Sequence, residues 1–389
     1  MPLVSIFGSY NGQPNLGDKC LLLSVLSSFD HYFQNRCHYV CHFDTSNPKS
    51  ERWWRELSEL RNVEAIPSLN AFLLLWSTKL RHLPVPFVVR QFIAFVTLPL
   101  FLVLATDARK AFGIALQALQ RSEIVYCYGG TSLSGQWFWG NIYYYLLVGL
   151  ICRVTGRSFY MGPQQYGPQS RIQNWITRWF LKYLVTDYRA RHESCKELLG
   201  ASEANLTFDE VFGCTSLYPI SQRLSRNRNL LLVNLRASAF SRTVSEAERI
   251  AFVKVVQELS RSLGGARVVV FQMSDAAVCD DAGVIEYFKA LCPGMDVSLA
   301  SRFTDEHELI RLCGEAFGVI SMSYHGCLFS MLAGVPAVPV VIGGYYDYKF
   351  QDFTRYCGGQ QWPVFDLSQV DPGEGARSVL RYFEEYDNG

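Results

Sequence analysis

Four turns rich in glycine, hydroxyl and amide groups, each at the end of a short apolar run, hold the side chains of this 389-residue chain best suited to chemistry. The first, Gly8 to Asp18, leads into an apolar helix and contains Asn15, Gly17 and Asp18. Glycines let backbone amides approach a ligand, and a helix amino end favours anions. The loop has neither the G-x-G-x-x-G spacing nor a Walker lysine, so no nucleotide motif is met. Asp18 reads either as a helix cap or as a base. The second turn, Tyr128 to Gly135, offers the amides of Gly129 and Gly130 and the Thr131 hydroxyl as a phosphate or sugar cradle. The third, Gly162 to Pro168, carries Gln164 and Gln165, which suit hydroxyl recognition or an ordinary turn. The fourth, Ser321 to Gly326, contains Ser323 and His325. An imidazole at a strand end exchanges protons near neutrality, or serves only as a structural group.

The elements that must position these turns follow one pattern. Short β-rich runs alternate with amphipathic runs of helical length, the signature of parallel sheets with crossover helices, so the class is α/β. Strands are expected at Leu3 to Phe7, His38 to Phe43, Val63 to Ile66, Ile124 to Cys127, Ser158 to Met161 and Leu184 to Arg189. Turn-forming and polar residues from Gly213 to Arg228 read as a linker, after which the alternation restarts at Leu230. Two Rossmann-like, doubly wound domains result, residues 1–215 and 216–389, and ligands are expected in a cleft lined by the carboxyl ends of their strands.

Composition narrows the function. Hydrophobic residues at 49% against 18% charged exclude a disordered chain. A formal charge of +1 provides no global field for nucleic acid, so any anion must be gripped locally. Twelve cysteines without a regular framework fit reduced, small apolar residues and a cytoplasmic location, and no secretory signal precedes the first strand. Cys37 to His42 alternates as a strand and reads as no metal site; Cys127 and Cys327 read as core residues and Tyr143 to Tyr145 as helix packing. No repeat or low-complexity tract appears. The apolar segment 70–106, with Lys79, Arg81, Arg90 and Arg109 around it, leaves two readings open: buried helices, or a basic-flanked hairpin dipping into a membrane leaflet. Its most apolar part, Phe92 to Ala105, is interrupted by Thr97 and Pro99 and is too short for a transmembrane helix.

Taken in order, the motifs resemble the polysaccharide pyruvyl transferase family: Asn15-Leu16-Gly17-Asp18, the Gly129-Gly130 turn, the Gly162 to Pro168 loop, Arg191 opening a strand-to-helix turn, and Ser321 to Gly326. Gly334-Val335-Pro336 and Tyr346 to Lys349 complete the set. The resemblance implies a two-lobed fold similar to the glycosyltransferase-B architecture. It also implies transfer of a pyruvyl group from phosphoenolpyruvate, as a ketal, to a sugar of a polysaccharide or a lipid-linked oligosaccharide, without metal or nucleotide cofactor. Such chemistry requires a proton donor, a base and cationic anchors. By resemblance, His325 is the general acid or a phosphate contact, Asp18 orients or deprotonates an acceptor hydroxyl, Asp209 is a second base or a hinge contact, and Arg191 and Lys349 grip anions. The sequence departs from the family where Ser323 replaces an arginine, Lys19 and His192 replace acids, and Cys195 replaces serine. Arg236, ending the strand Leu230 to Leu235, is the candidate replacement cation. A glycosyltransferase using another donor and a non-catalytic glycan-binding relative remain alternatives. With a lipid-linked acceptor, the enzyme would sit peripherally on the inner face of the membrane.

Overall fold

The computed structural model describes residues 1–8, 16–43, 63–135, 137–202, 205–213, 227–236, 238–239, 242–273, 283–300, 306–343, 345–350, 353, 364–369 and 371–388. The chain forms two compact units, Met1–Gln13 with Leu21–Gly213, and Pro14–Cys20 with Cys214–Gly389. Most of the expected linker, residues 214–226, lies outside the described residues.

The first unit contains β1 (Leu3–Phe7), α1 (Leu16–Tyr32, whose first turn groups with the second unit), β2 (His38–Phe43) and β3 (Val63–Pro67). The helices α2 (Leu69–Lys79), α3 (Phe87–Val96), α4 (Leu98–Leu104) and α5 (Thr106–Arg121) follow. It ends with β4 (Ile124–Cys127), α6 (Phe138–Thr155), β5 (Ser158–Gln164), α7 (Arg171–Leu184), β6 (Asp187–Ala190), α8 (Cys195–Leu199) and a short 3-10 turn, Glu210–Gly213. Its six strands are all parallel, in the order β3-β2-β1-β4-β5-β6. The order reverses at β1 and β4, the place where sheets of this kind bind ligands. Phe7 pairs with Cys127 and Cys127 with Met161, so Gly8 and Tyr128 leave their strands level with Gly162, while β5 continues past the expected end at Met161 to Gln164.

Local sequence explains the borders. A reciprocal capping box between Ser170 and Gln173 starts α7. The strand expected from Leu184 begins only at Asp187, because buried Phe180, Leu181 and Leu184 continue the helical period to the last turn. Tyr143, Tyr144 and Tyr145 are core residues of α6. The apolar segment divides between its two readings. Phe72 and Leu73 of α2 are buried, whereas α3 and α4 bury Gln91, Ala94, Leu98 and Phe101 on one side and expose Phe92, Val96, Leu100, Val103 and Leu104 on the other. Among the described residues no single helix is long and apolar enough to span a membrane, and α3 and α4 are bent by 64° to each other.

The second unit repeats the design. It contains β7 (Asn227–Asn234), the ribbon β8 (Ser238–Ala239) and β9 (Arg242–Thr243), α9 (Glu246–Ser262), β10 (Arg267–Val270), α10 (Val284–Leu291) and β11 (Val297–Leu299). Then come α11 (Glu306–Glu315), β12 (Ala316–Ser321), α12 (Tyr324–Leu332), β13 (Ala337–Val341), α13 (Tyr345–Phe350), β14 (Phe365–Asp366) and α14 (Pro372–Asn388). The order β11-β10-β7-β12-β13-β14 again reverses once, between β7 and β12. Every residue of β12 and β13 is buried, as a parallel strand covered on both faces requires.

Candidate active site

In the second unit the predicted residues gather at the β7/β12 reversal. Ser321 lies opposite Asn234, so Ser323 and Arg236 each stand two residues beyond a matched pair of strand ends. Ser321 Oγ accepts from the Ser323 amide at 3.0 Å and donates to the Ser323 carbonyl at 3.1 Å, fixing the turn that releases α12. Ser323 is the N-cap of α12, its Oγ accepting from the Gly326 amide at 3.4 Å. Gly326 is needed for close approach: a β-carbon there would stand 2.6 Å from Ser321 Oγ and 3.2 Å from the Phe271 ring.

His325 follows in the first turn of α12 and is joined by the amino-terminal motif. Gly17, in the first turn of α1, lies so close that a β-carbon on it would be 2.0 Å from His325 Nδ1. Half-buried Asp18 is its neighbour, and Lys19 pairs with Glu306 of α11 at 2.8 Å. Lys349 of α13 is 9% exposed and places its ammonium 5.5 Å from the centre of the Tyr324 ring. Arg236 is 4% exposed. One unit thus brings Gly17, Asp18, Arg236, Ser323, His325 and Lys349 to the region where β7 and β12 leave the sheet. Asn15 lies outside the described residues.

The remaining predicted residues belong to the first unit, at the ends of β4, β5 and β6. Their centre is a group the sequence reading passes over, Glu210, next to the predicted Asp209. Tyr126 Oη donates to Glu210 Oε1 and the Gly129 amide to Oε2, both at 2.5 Å, while Ser24 Oγ donates to the Glu210 carbonyl. Burial pushes the Glu210 carboxyl up to about 8, against the opposing pull of the Tyr126 and Gly129 hydrogen bonds. Gly129 and Gly162 leave room for that carboxyl: β-carbons on them would stand 3.0 Å from Oε2 and 2.2 Å from Oε1. The glycines just after β4 and inside β5, both facing this acid, are the sequence signal that could have revealed it.

Asp209 and Arg191 form a buried ion pair, and Asp209 Oδ1 also accepts from the Val211 amide at 3.1 Å. Gln164 and Gln165 are fully buried. Gln164 Nε2 donates to the Tyr128 carbonyl at 2.7 Å and Gln165 Nε2 to the Gly167 carbonyl at 3.1 Å. The Gln165 amide donates to the Gly130 carbonyl, and the Thr131 carbonyl accepts from Ser134 Oγ, so the second and third turns form one hydrogen-bonded rim. A cavity of about 720 Å³ opens beside it, with Phe29, Phe33, Tyr126, Tyr160, Phe208 and Phe212 in its walls along with Arg189 and Glu210. A concave, mostly apolar pocket with a few convergent polar groups is the usual form of a small-molecule site.

Other chemistry recedes. Burial pushes the Cys127 thiol up to about 12, and Cys327 is buried and donates to the Ser321 carbonyl at 3.5 Å, so both sit as core residues. The nine described cysteines are all buried. His42 stacks on Phe7 with ring centres 3.8 Å apart, and burial lowers its pKa to about 3, keeping it neutral. No group of three or more His, Cys, Asp or Glu side chains able to hold a metal occurs among the described residues.

The profile of the family described as polysaccharide pyruvyl transferase matches residues 25–343. No curated protein matches the sequence. Among solved structures, apo UGT2 of Phytolacca americana aligns with a TM-score of 0.55 at 12% identity, covering 99% of this chain and 91% of that one. MurG of Acinetobacter baumannii aligns with a TM-score of 0.53 at 11% identity, covering 98% of this chain and 91% of that one. At these identities the likeness is one of fold, the glycosyltransferase-B type built from two Rossmann-like units.

Proposed function

The chain belongs to the polysaccharide pyruvyl transferase family, a family of polysaccharide-modifying transferases, and on that premise we propose that it transfers the pyruvyl group of phosphoenolpyruvate to two hydroxyls of one sugar. The product is a ketal, and inorganic phosphate is released. The acceptor is a sugar of a polysaccharide precursor or of a lipid-linked oligosaccharide.

The chemistry assigns work to the second-unit cluster. His325 delivers a proton to the methylene carbon of the enol, leaving a cationic carbon that the first sugar hydroxyl attacks. Asp18 takes the proton from that hydroxyl. The carbon–phosphate oxygen bond then breaks, phosphate leaves, and the second hydroxyl closes the ring, its proton passing to the departing phosphate. Arg236 and Lys349 bind the donor's carboxylate and phosphate by charge-assisted hydrogen bonds. Arg236 takes the place of the family arginine, whose position is held by the helix cap Ser323. No metal or other cofactor enters the reaction.

The observation that carries this reading is the contact of Gly17 with the His325 ring, which joins the amino-terminal motif and the histidine motif in one cluster. Thermal unfolding tests it. Phosphoenolpyruvate at about 100 times its Kd should stabilise the protein by about 2.7 kcal/mol, and His325→Ala should fold normally but lose transfer. Stabilisation by a nucleotide sugar and not by phosphoenolpyruvate would instead favour sugar transfer, the reading that Ser323 in the arginine position supports. No response to either would favour a glycan-binding relative.

A further inference from the structure

The charge of the chain is distributed very unevenly. Residues 68–185, which include helices α2 to α7, contain eleven lysines and arginines against two acids, Asp107 and Glu123, in a protein whose formal charge is only +1. The remainder of the chain is therefore acidic. A strongly cationic segment in a nearly neutral protein marks a surface for an anionic partner.

The same segment carries large exposed apolar side chains. On α3, Phe92 and Val96 face outward, opposite buried Gln91 and Ala94. On α4, Val103 and Leu104 are 68% and 70% exposed, opposite buried Leu98 and Phe101. The two helices are held firmly from behind. Phe95 packs against Tyr143 of α6 with ring centres 5.6 Å apart, Trp76 of α2 stacks on Phe101 at 4.8 Å, and Trp76 Nε1 donates to Thr97 Oγ1 at 2.7 Å. Through α6 the layer continues to α7, where Tyr145 meets Phe180. The outer face of α7 shows Trp175, Trp179 and Tyr183 beside Arg178 and Lys182. Tryptophan and tyrosine next to basic groups suit the headgroup level of a bilayer, and short apolar faces suit shallow burial beneath it.

We infer that this helical layer docks onto the surface of an anionic lipid bilayer, with α3 and α4 lying in the interface. Neither helix is long enough to span a bilayer alone, at 10 and 7 residues, and the 64° bend between them fits helices that lie along the interface. Anionic lipid is the occupant that matches both the cationic surplus and the apolar faces; a second copy of this chain would bring like charge against like charge. The inference does not depend on the reaction assigned above.

Flotation of the full-length protein with vesicles tests it. The protein should float with vesicles of equal parts phosphatidylcholine and phosphatidylglycerol, and release partly in high salt. On vesicles of phosphatidylcholine alone its affinity should fall by about tenfold or more. Val96→Asp with Val103→Asp should lower affinity for the anionic vesicles by about tenfold or more, with an unchanged thermal transition. Arg109→Glu with Lys110→Glu should also weaken binding, whereas Leu299→Asp, an exposed apolar position in the second unit, should float like the wild type. Failure of the wild type to float with anionic vesicles would overturn the inference, as would equal flotation of the Val96/Val103 variant. A lipid-free dimer, seen by sedimentation velocity and dissociated by that variant, would also overturn it by assigning the face to self-association.

Discussion

At the scale of single residues, two glycines of equal composition cost differ in consequence. Gly17→Ala would drive a methyl group into the His325 ring, so either the imidazole or the start of α1 must move. Overpacking of this kind costs about 1–3 kcal/mol, and we expect donor binding or turnover to fall with it, by about tenfold or more. Gly113→Ala, in α5 with nothing within 4 Å of the new β-carbon, should stabilise the protein by about 0.5–1 kcal/mol and leave activity unchanged. Paired measurements of thermal unfolding and transfer rate separate the two. Glu210 makes a different claim. Its folded pKa of about 8 lies above the ordinary 4.5, so the native state holds the proton more tightly than the unfolded chain. The associated stability is fully present below about 4.5 and is lost as the pH rises through 8, with a slope of at most about 1.4 kcal/mol per pH unit. Glu210→Gln should flatten that part of the stability curve, which denaturant unfolding across the window will show.

At the scale of elements, Ser323 and Arg236 follow matched strand ends with different expected tasks, a helix cap for Ser323 and, in the proposed reaction, an anion contact for Arg236. Ser323 caps α12, so Ser323→Ala should cost about 1 kcal/mol of stability while leaving affinity for phosphoenolpyruvate within a factor of about two. Arg236→Gln should weaken phosphoenolpyruvate by about 1.5–3 kcal/mol, or one to two powers of ten, in a variant that still unfolds cooperatively. Titration calorimetry beside thermal unfolding reads both. The buried pair of Arg191 and Asp209 belongs to this scale too, because it ties the end of β6 to the turn that presents Glu210. Asp209→Asn should destabilise the first unit by about 3 kcal/mol, measured by denaturant unfolding, since it leaves a buried guanidinium without its carboxylate.

At the scale of the whole molecule, the alternation of strands and helices was legible because parallel strands buried on both faces read as continuous apolar runs; β12 and β13 are the plainest cases. The turns were legible because strand ends at an order reversal collect glycine, hydroxyl and charged residues together, as at Ser321 to Gly326. Glu210 was not, since its character depends on Tyr126, Gly129 and Gly162, which are about fifty to eighty positions away in the chain and meet it only through folding. The exposed faces of α3 and α4 were equally hidden: apolar composition is the same for a buried helix and an interfacial one, and only packing tells which face is covered. The most direct test of the central claim is a crystal structure of the protein soaked with phosphoenolpyruvate. Density for its phosphate and carboxylate is expected against His325, Arg236 and Lys349. Phosphoenolpyruvate bound away from all three, or an intact nucleotide sugar bound there in its place, would contradict it.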